Sequence, residues 1–150
     1  MFGRESLLTV NKQHQLQIDS SKLNNAVTEW LFFGTYAICE GVAAQCGEKK
    51  ALRDAILDEF FEQFYAGLRE AGVPKSELPH VENCVRARFV EYRAAMSDPA
   101  KGIYSLGFTL SKLMFGEAPD ATSFIPISGL YFADSMEPIK KLFDTYKIGS

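Results

Sequence analysis

The stretch AVTEWLFFGTYAICEGVAAQC, Ala26 to Cys46, decides the fold. It is the most apolar run in the chain, yet it carries Glu29, Glu40 and Gln45, and ionisable groups at membrane depth are costly. It therefore reads as a core helix of a soluble domain and not as a membrane span. Leu23, Val27, Trp30, Gly34, Ala37 or Ile38, and Gly41 recur at helical spacing, which predicts a helix that Asp19, Ser20 or Ser21 would cap. Gly47 is free to adopt the left-handed conformation that closes a helix.

Working forward, a second helix from about Glu48 to Ala71 places Ile56, Leu57, Phe60, Phe64 and Leu68 on one face and Asp54, Asp58, Glu62 and Arg69 opposite. The connection is short, so the two helices form an antiparallel hairpin. Gly72 and Pro74 stop the second helix, and Ser76 is placed to cap a third with Pro79 in its first turn. Leu78, Val81, Val85, Phe89, Tyr92 and Met96 form the apolar stripe of that third helix. Asp98-Pro99 breaks the chain and would cap a fourth helix, carrying Ile103, Leu106, Gly107, Leu110, Leu113 and Met114 and ended by Gly116. A loop is expected from Glu117 to Ile127. Pro138 should then divide the remainder into two short helices, the second capped by Ser135.

Working backward from Ala26, the pattern changes. Leu8 and Val10, then Leu16 and Ile18, alternate with polar residues around Asn11 and Lys12, which suits a small β-hairpin or a disordered arm over residues 1–20. The expected fold is thus all-α: a single-domain orthogonal or antiparallel bundle of five to six helices over residues 21–150.

Bulk properties agree. A chain of 150 residues is long enough to bury roughly 70% of its unfolded surface in one core. The composition is 47% hydrophobic with 12 Phe and 6 Tyr, too apolar for a disordered chain. The net charge of -3 repels phosphate backbones and anionic lipid unless a basic patch is concentrated somewhere, and none is visible, so neither a nucleic-acid nor a membrane partner is expected. Three cysteines and the lack of a cleavable leader pattern favour a cytoplasmic setting with reduced thiols.

Catalytic and cofactor chemistry lacks its usual residues. There is no Gly-x-Ser-x-Gly elbow, Walker loop or dinucleotide fingerprint, so no catalytic residue and no cofactor is assigned. His14 and His80 are the only histidines. His80 and Cys84 share a helix face, and Cys39 and Cys46 lie on another helix. Structural zinc sites draw close-spaced Cys pairs from turns, so these thiols read as small buried hydrophobes and no metal is assigned. Cys39 and Cys46 cannot bridge within a helix, since seven residues rise about 10 Å. Neither histidine follows a Glu by three residues, as carboxylate di-iron bundles require. Glu29 and Glu40 share a flank of the most apolar helix. A carboxylate buried there needs a cation, and Arg88 in the apolar arc of the third helix is the candidate.

The positive feature is surplus apolar surface. Phe32, Tyr36, Cys39 and Ala43 form a second stripe on the Ala26–Cys46 helix, and Tyr104, Phe108 and Phe115 form one on the fourth helix. Two function classes follow. In one, the Phe32–Tyr36–Cys39–Ala43 stripe meets its own copy or another protein, making this a homodimeric or adaptor-type interaction domain without enzymatic activity. In the other, aromatics including Phe33, Tyr36, Phe60, Phe64, Phe89 and Tyr92 wall an inter-helix pocket for a small apolar ligand.

Overall fold

A computed structural model describes residues 4–14, 18, 20–116 and 120–149. Six helices occupy these residues, with no strand among them: α1 (Arg4–His14), α2 (Leu23–Cys46), α3 (Lys50–Glu70), α4 (Leu78–Met96), α5 (Gly102–Phe115) and α6 (Asp120–Tyr146). The all-α bundle expected from periodicity is what forms.

The apolar run becomes α2, the axis about which the others are arranged. It packs against α3, α4, α5 and α6 and receives α1 at its start. Because helices arrive from several directions, α2 is buried nearly all round, from Ala26 through Phe32–Ala37 to Val42 and Cys46. Trp30, Phe33, Tyr36, Tyr92, Leu106, Leu110, Met114 and Phe132 form the main core, and Leu7 of α1 plugs into it. Phe33 meets Tyr92 edge-on at 5.7 Å, and Tyr36 stacks on Phe132 at 6.0 Å. These are favourable aromatic geometries. A smaller core of Val42, Cys46 and Phe143, with Ile38, Leu52, Ile56, Leu57 and Ile139 around it, lies at the Gly47 end.

Helix ends follow the glycines. Gly47, Gly72 and Gly116 have φ of 54°, 96° and 69°, and the N–H of Val73 reaches back to the carbonyl of Leu68 at 2.9 Å, closing α3 in the manner of a Schellman turn. The expected caps differ. Lys22 occupies the N-cap of α2 and provides no side-chain cap, in place of Ser20 or Ser21; Asp19 lies outside the described residues. The first turn of α2 serves α5 instead. Asn25 Nδ2 donates to the carbonyls of Leu113 (3.0 Å) and Met114 (3.2 Å), and Lys22 Nζ to that of Phe115 (3.3 Å). These carbonyls belong to the last turn of α5, where they find no N–H donors within their own helix. Ser76 sits inside a 3₁₀ turn, Lys75–Glu77, that precedes α4, and Pro79 falls in the first turn of α4 as expected. Asp98 Oδ1 accepts from the N–H groups of Ala100 (2.9 Å) and Lys101 (3.2 Å), capping the turn before α5 and not α5 itself.

Two expectations are corrected. Leu8 and Val10 fall in α1 and not in a strand or arm, Leu16 lies outside the described residues and Ile18 lies outside any helix; Leu7 finds an apolar slot in the bundle, and tertiary burial overrides the local period. The C-terminal region is one helix, not a loop to Ile127 followed by two short helices. Only residues 117–119 of that loop lie outside the described residues, and Pro126 and Pro138 both sit inside α6. An internal proline costs about 3 kcal/mol in a free helix. Here the interfaces of α6 with α5 and α2, among the most extensive in the molecule, offset that cost. Ser135 does not cap; it is buried mid-helix and its Oγ donates to the Phe132 carbonyl at 2.6 Å.

Candidate functional site: the cleft between α3 and α4

α3 is held from one side. Leu52, Ile56 and Leu57 anchor it on α2 near the Gly47 turn, but the backbones of α3 and α4 stand apart along their lengths. No residue of α3 is fully buried. Its bulky residues turn to one another instead: Phe60 lies 5.3 Å from Phe61, Phe61 6.0 Å from Tyr65, and Phe64 5.3 Å from Tyr65. Phe61 alone of these rings reaches Phe89 of α4, at 6.4 Å.

What remains between the helices is a cleft of about 350 Å³. Cys39 and Val85 form its buried floor, while Leu57, Phe61, Tyr65 and Phe89 form half-buried walls. Asp58, Glu82, Arg86 and Arg93 complete its lining. The volume falls within the range of small-molecule sites, which begins near 300 Å³. Tyr65 and Glu82 also line a second hollow of about 400 Å³, with Glu62, Arg69, Lys75, Leu78 and Pro79. The two hollows therefore run together along the same face of α4.

The cleft is chemically quiet at neutral pH. Burial, helped by Glu40, pushes the Cys39 thiol from 9.0 up to about 12, against the opposing pull of Arg93. A thiol held protonated is a poor nucleophile. Burial likewise raises the Tyr65 phenol, with Glu82 adding to it. Arg86 donates to a single oxygen of Glu82, Oε1, from both Nε (3.1 Å) and Nη2 (2.5 Å), and Arg93 Nε stands 3.7 Å from Glu40.

The ligand-site residues expected from sequence divide. Phe60 and Phe64 belong to the α3 aromatic cluster and Phe89 lines the cleft, whereas Phe33 and Tyr92 are packed in the main core. Periodicity puts Leu57 on the apolar face of this helix without assigning it to a site, and it passes over Phe61 and Tyr65. They follow a four-residue spacing of their own, one position round from Phe60 and Phe64, and that second line was the available signal.

The expected interface stripe is corrected more fully. Phe32, Tyr36 and Cys39 are buried and Ala43 is half-buried, so the folded chain leaves no free surface there. The reason is the central position of α2, whose second apolar side is covered by the chain's own helices. On α5, Phe115 is buried, but Ile103, Tyr104 and Phe108 are 49%, 60% and 55% exposed. Tyr104 and Phe108 border a groove of about 530 Å³ between α4 and α5, which also contains Glu91, Ala94, Ala95 and Lys101.

The buried carboxylate found its cation. Glu29, 4% exposed, accepts two 2.7 Å bonds from Arg88 Nε and Nη2, and Arg88 Nη1 reaches Glu91 at 3.0 Å. The hydrogen bonds to Glu29 hold the Arg88 guanidinium firmly protonated. Glu40, less buried, joins Arg93 instead. Beside the pair, the Tyr92 hydroxyl is buried without a hydrogen-bond partner, and burial together with Glu29 raises its pKa. Cys84 Sγ lies 3.7 Å from His80 Nε2, and no group of three or more His, Cys, Asp or Glu able to hold a metal forms among the described residues. Among those residues, no helix is long and apolar enough to cross a membrane. In comparisons with known proteins, no family model, no curated protein and no solved structure matches this chain.

Proposed function

We propose that this chain is a non-catalytic binding protein that takes a small apolar ligand in the cleft between α3 and α4. One observation carries the reading: α3 presents Leu57, Phe61 and Tyr65 toward α4 without closing on it, leaving about 350 Å³ over a buried floor. Helices whose side chains interlock leave no such space. A ligand there would complete the apolar contacts that α3 lacks, at roughly 25 cal/mol per Å² removed from water. The test is displacement of an environment-sensitive alkyl fluorophore, alongside native mass spectrometry of the purified protein. Binding that a bulky Leu57→Trp variant loses while keeping its helical circular dichroism supports the reading; a probe that never binds, or binds the variant equally, overturns it.

The α5 face favours a second reading, self-association. Ile103, Tyr104 and Phe108 present large apolar side chains within two turns, beside a groove that contains the small residues Ala94 and Ala95. Knob and recess on one patch are what an isologous dimer uses. Light scattering coupled to size exclusion at high micromolar concentration decides it: a strict monomer removes this reading, and a dimer abolished by Phe108→Glu supports it.

A further inference from the structure

The charges along the cleft are unevenly committed, and this bears on what it holds. At the inner end, Arg86 is taken by Glu82 and Arg93 leans on Glu40, while Asp58 stands exposed without an ion pair among the described residues. At the outer end, Arg69 and Lys75 are both exposed, neither has an ion-pair partner among the described residues, and both line the same hollow as Tyr65, Leu78 and Pro79. Glu62 is the uncompensated acid of that hollow, since Glu82 is spent on Arg86. The cleft thus runs from an apolar trough over Cys39 and Val85 to a mouth with a surplus of cationic charge.

Its dimensions narrow the choice of occupant. From Arg93 to Leu78 along α4 is about 22 Å at the helical rise. Hollows of about 350 and 400 Å³ that share Tyr65 and Glu82 follow one another over that length. One extended alkyl chain fits along a groove of this length.

Resting on the cleft reading above, we infer that the ligand is a single-chain amphiphile with an anionic head, its alkyl tail along Leu57, Phe61 and Phe89 and its head between Arg69 and Lys75. The tail replaces water over the half-buried rings, and the head takes charge-assisted hydrogen bonds from the guanidinium and the ammonium. Both cations sit in solvent, so they select among heads more than they supply affinity, and salt weakens their part.

The experiment compares three twelve-carbon probes at submicellar concentration: dodecanoate, dodecanol and dodecyltrimethylammonium. Dodecanoate is expected to bind roughly three- to tenfold more tightly than dodecanol, and the ammonium most weakly. The double variant Arg69→Gln/Lys75→Gln should bind dodecanol as the wild type does and lose the preference for dodecanoate. Equal binding of dodecanoate and dodecanol, a preference for the ammonium, or a carboxylate preference that survives the double variant overturns the inference and leaves the cleft reading intact. Failure of all three probes to bind overturns the cleft reading itself.

Discussion

The two sides of α2 are built on opposite terms. On the α5–α6 side, small residues stand at the crossings: a Cβ placed on Gly107 would come within 2.5 Å of the Ile125 carbonyl oxygen and 2.7 Å of Ser128 Oγ, and one on Gly129 within 2.7 Å of Ile103. Gly41 of α2 is overlaid by Ile139 and Met136 of α6 in the same way. Ser111, Ser128 and Ser135 are fully or almost fully buried among them. On the α3 side, Leu57, Phe61 and Tyr65 line the gap toward α4, Phe60 and Phe64 stack on each other, and nothing on α3 is fully buried. The difference teaches that helix approach here is governed by side-chain volume at the crossing point. Glycine and serine let backbones nearly touch, while clustered rings hold a neighbour away.

The contrast can be broken at several points. α4 is fastened to α2 by the Glu29–Arg88 pair, and Arg88→Met leaves a buried carboxylate without its cation. The expected loss is about 3–5 kcal/mol in denaturant unfolding, most of it recovered in Glu29→Met/Arg88→Met, where no charge remains buried. If Arg88→Met alone is harmless, α4 is held by something other than this pair.

Alkaline pH probes the floor of the cleft. The Cys39 thiol has its folded value raised to about 12 from 9.0, and the Tyr36 phenol to about 12 from 10.0. The folded state disfavours both anions, so the associated stability is intact below pH ~9 and is lost as the pH rises toward 12. For Cys39 this is of order 3 kcal/mol by pH 11. Cys39→Ala should flatten the alkaline limb of a melting-temperature profile; an unchanged limb would mean that water already reaches the thiol.

The glycines give the smallest effects and the sharpest pairing. Gly107→Val should cost about 1–3 kcal/mol, because the atom it meets first is backbone and cannot swing aside. Gly67 lies within α3 with nothing within 4 Å of an added Cβ. Gly67→Ala should therefore stabilise by about 0.5–1 kcal/mol through helix propensity alone. Thermal melts in which both variants shift the same way would erase the distinction between the two sides.

How far the sequence could be read depended on the range of the determining interaction. Helix-ending glycines act within one turn, and Gly47, Gly72 and Gly116 lie where periodicity placed them. The Glu29–Arg88 pairing was legible because a carboxylate on an apolar helix needs a cation and Arg88 lies in a matching apolar arc. The stripe of Phe32, Tyr36 and Cys39 was recognised as surplus, but whether a helix is apolar all round because it is central or because it docks elsewhere depends on how many neighbours arrive. The continuity of α6 through Pro138 depends on packing against α5 and α2, which no local window contains. The cleft was half legible: Phe60, Phe64 and Phe89 were marked, yet the failure of α3 and α4 to close is a relation between helices, and Phe61 and Tyr65 gained their place from it.

The helical form of α6 depends on its neighbours. Spanning 27 residues with Pro126 and Pro138 inside, it lacks two of the amide donors that would let it propagate unaided, and a free segment of this kind seldom persists in water. Its shape is borrowed from the surface on which it lies. α2 and α5, which interlock through Asn25 and Lys22, supply part of the surface without which a segment of this composition would not hold a helix.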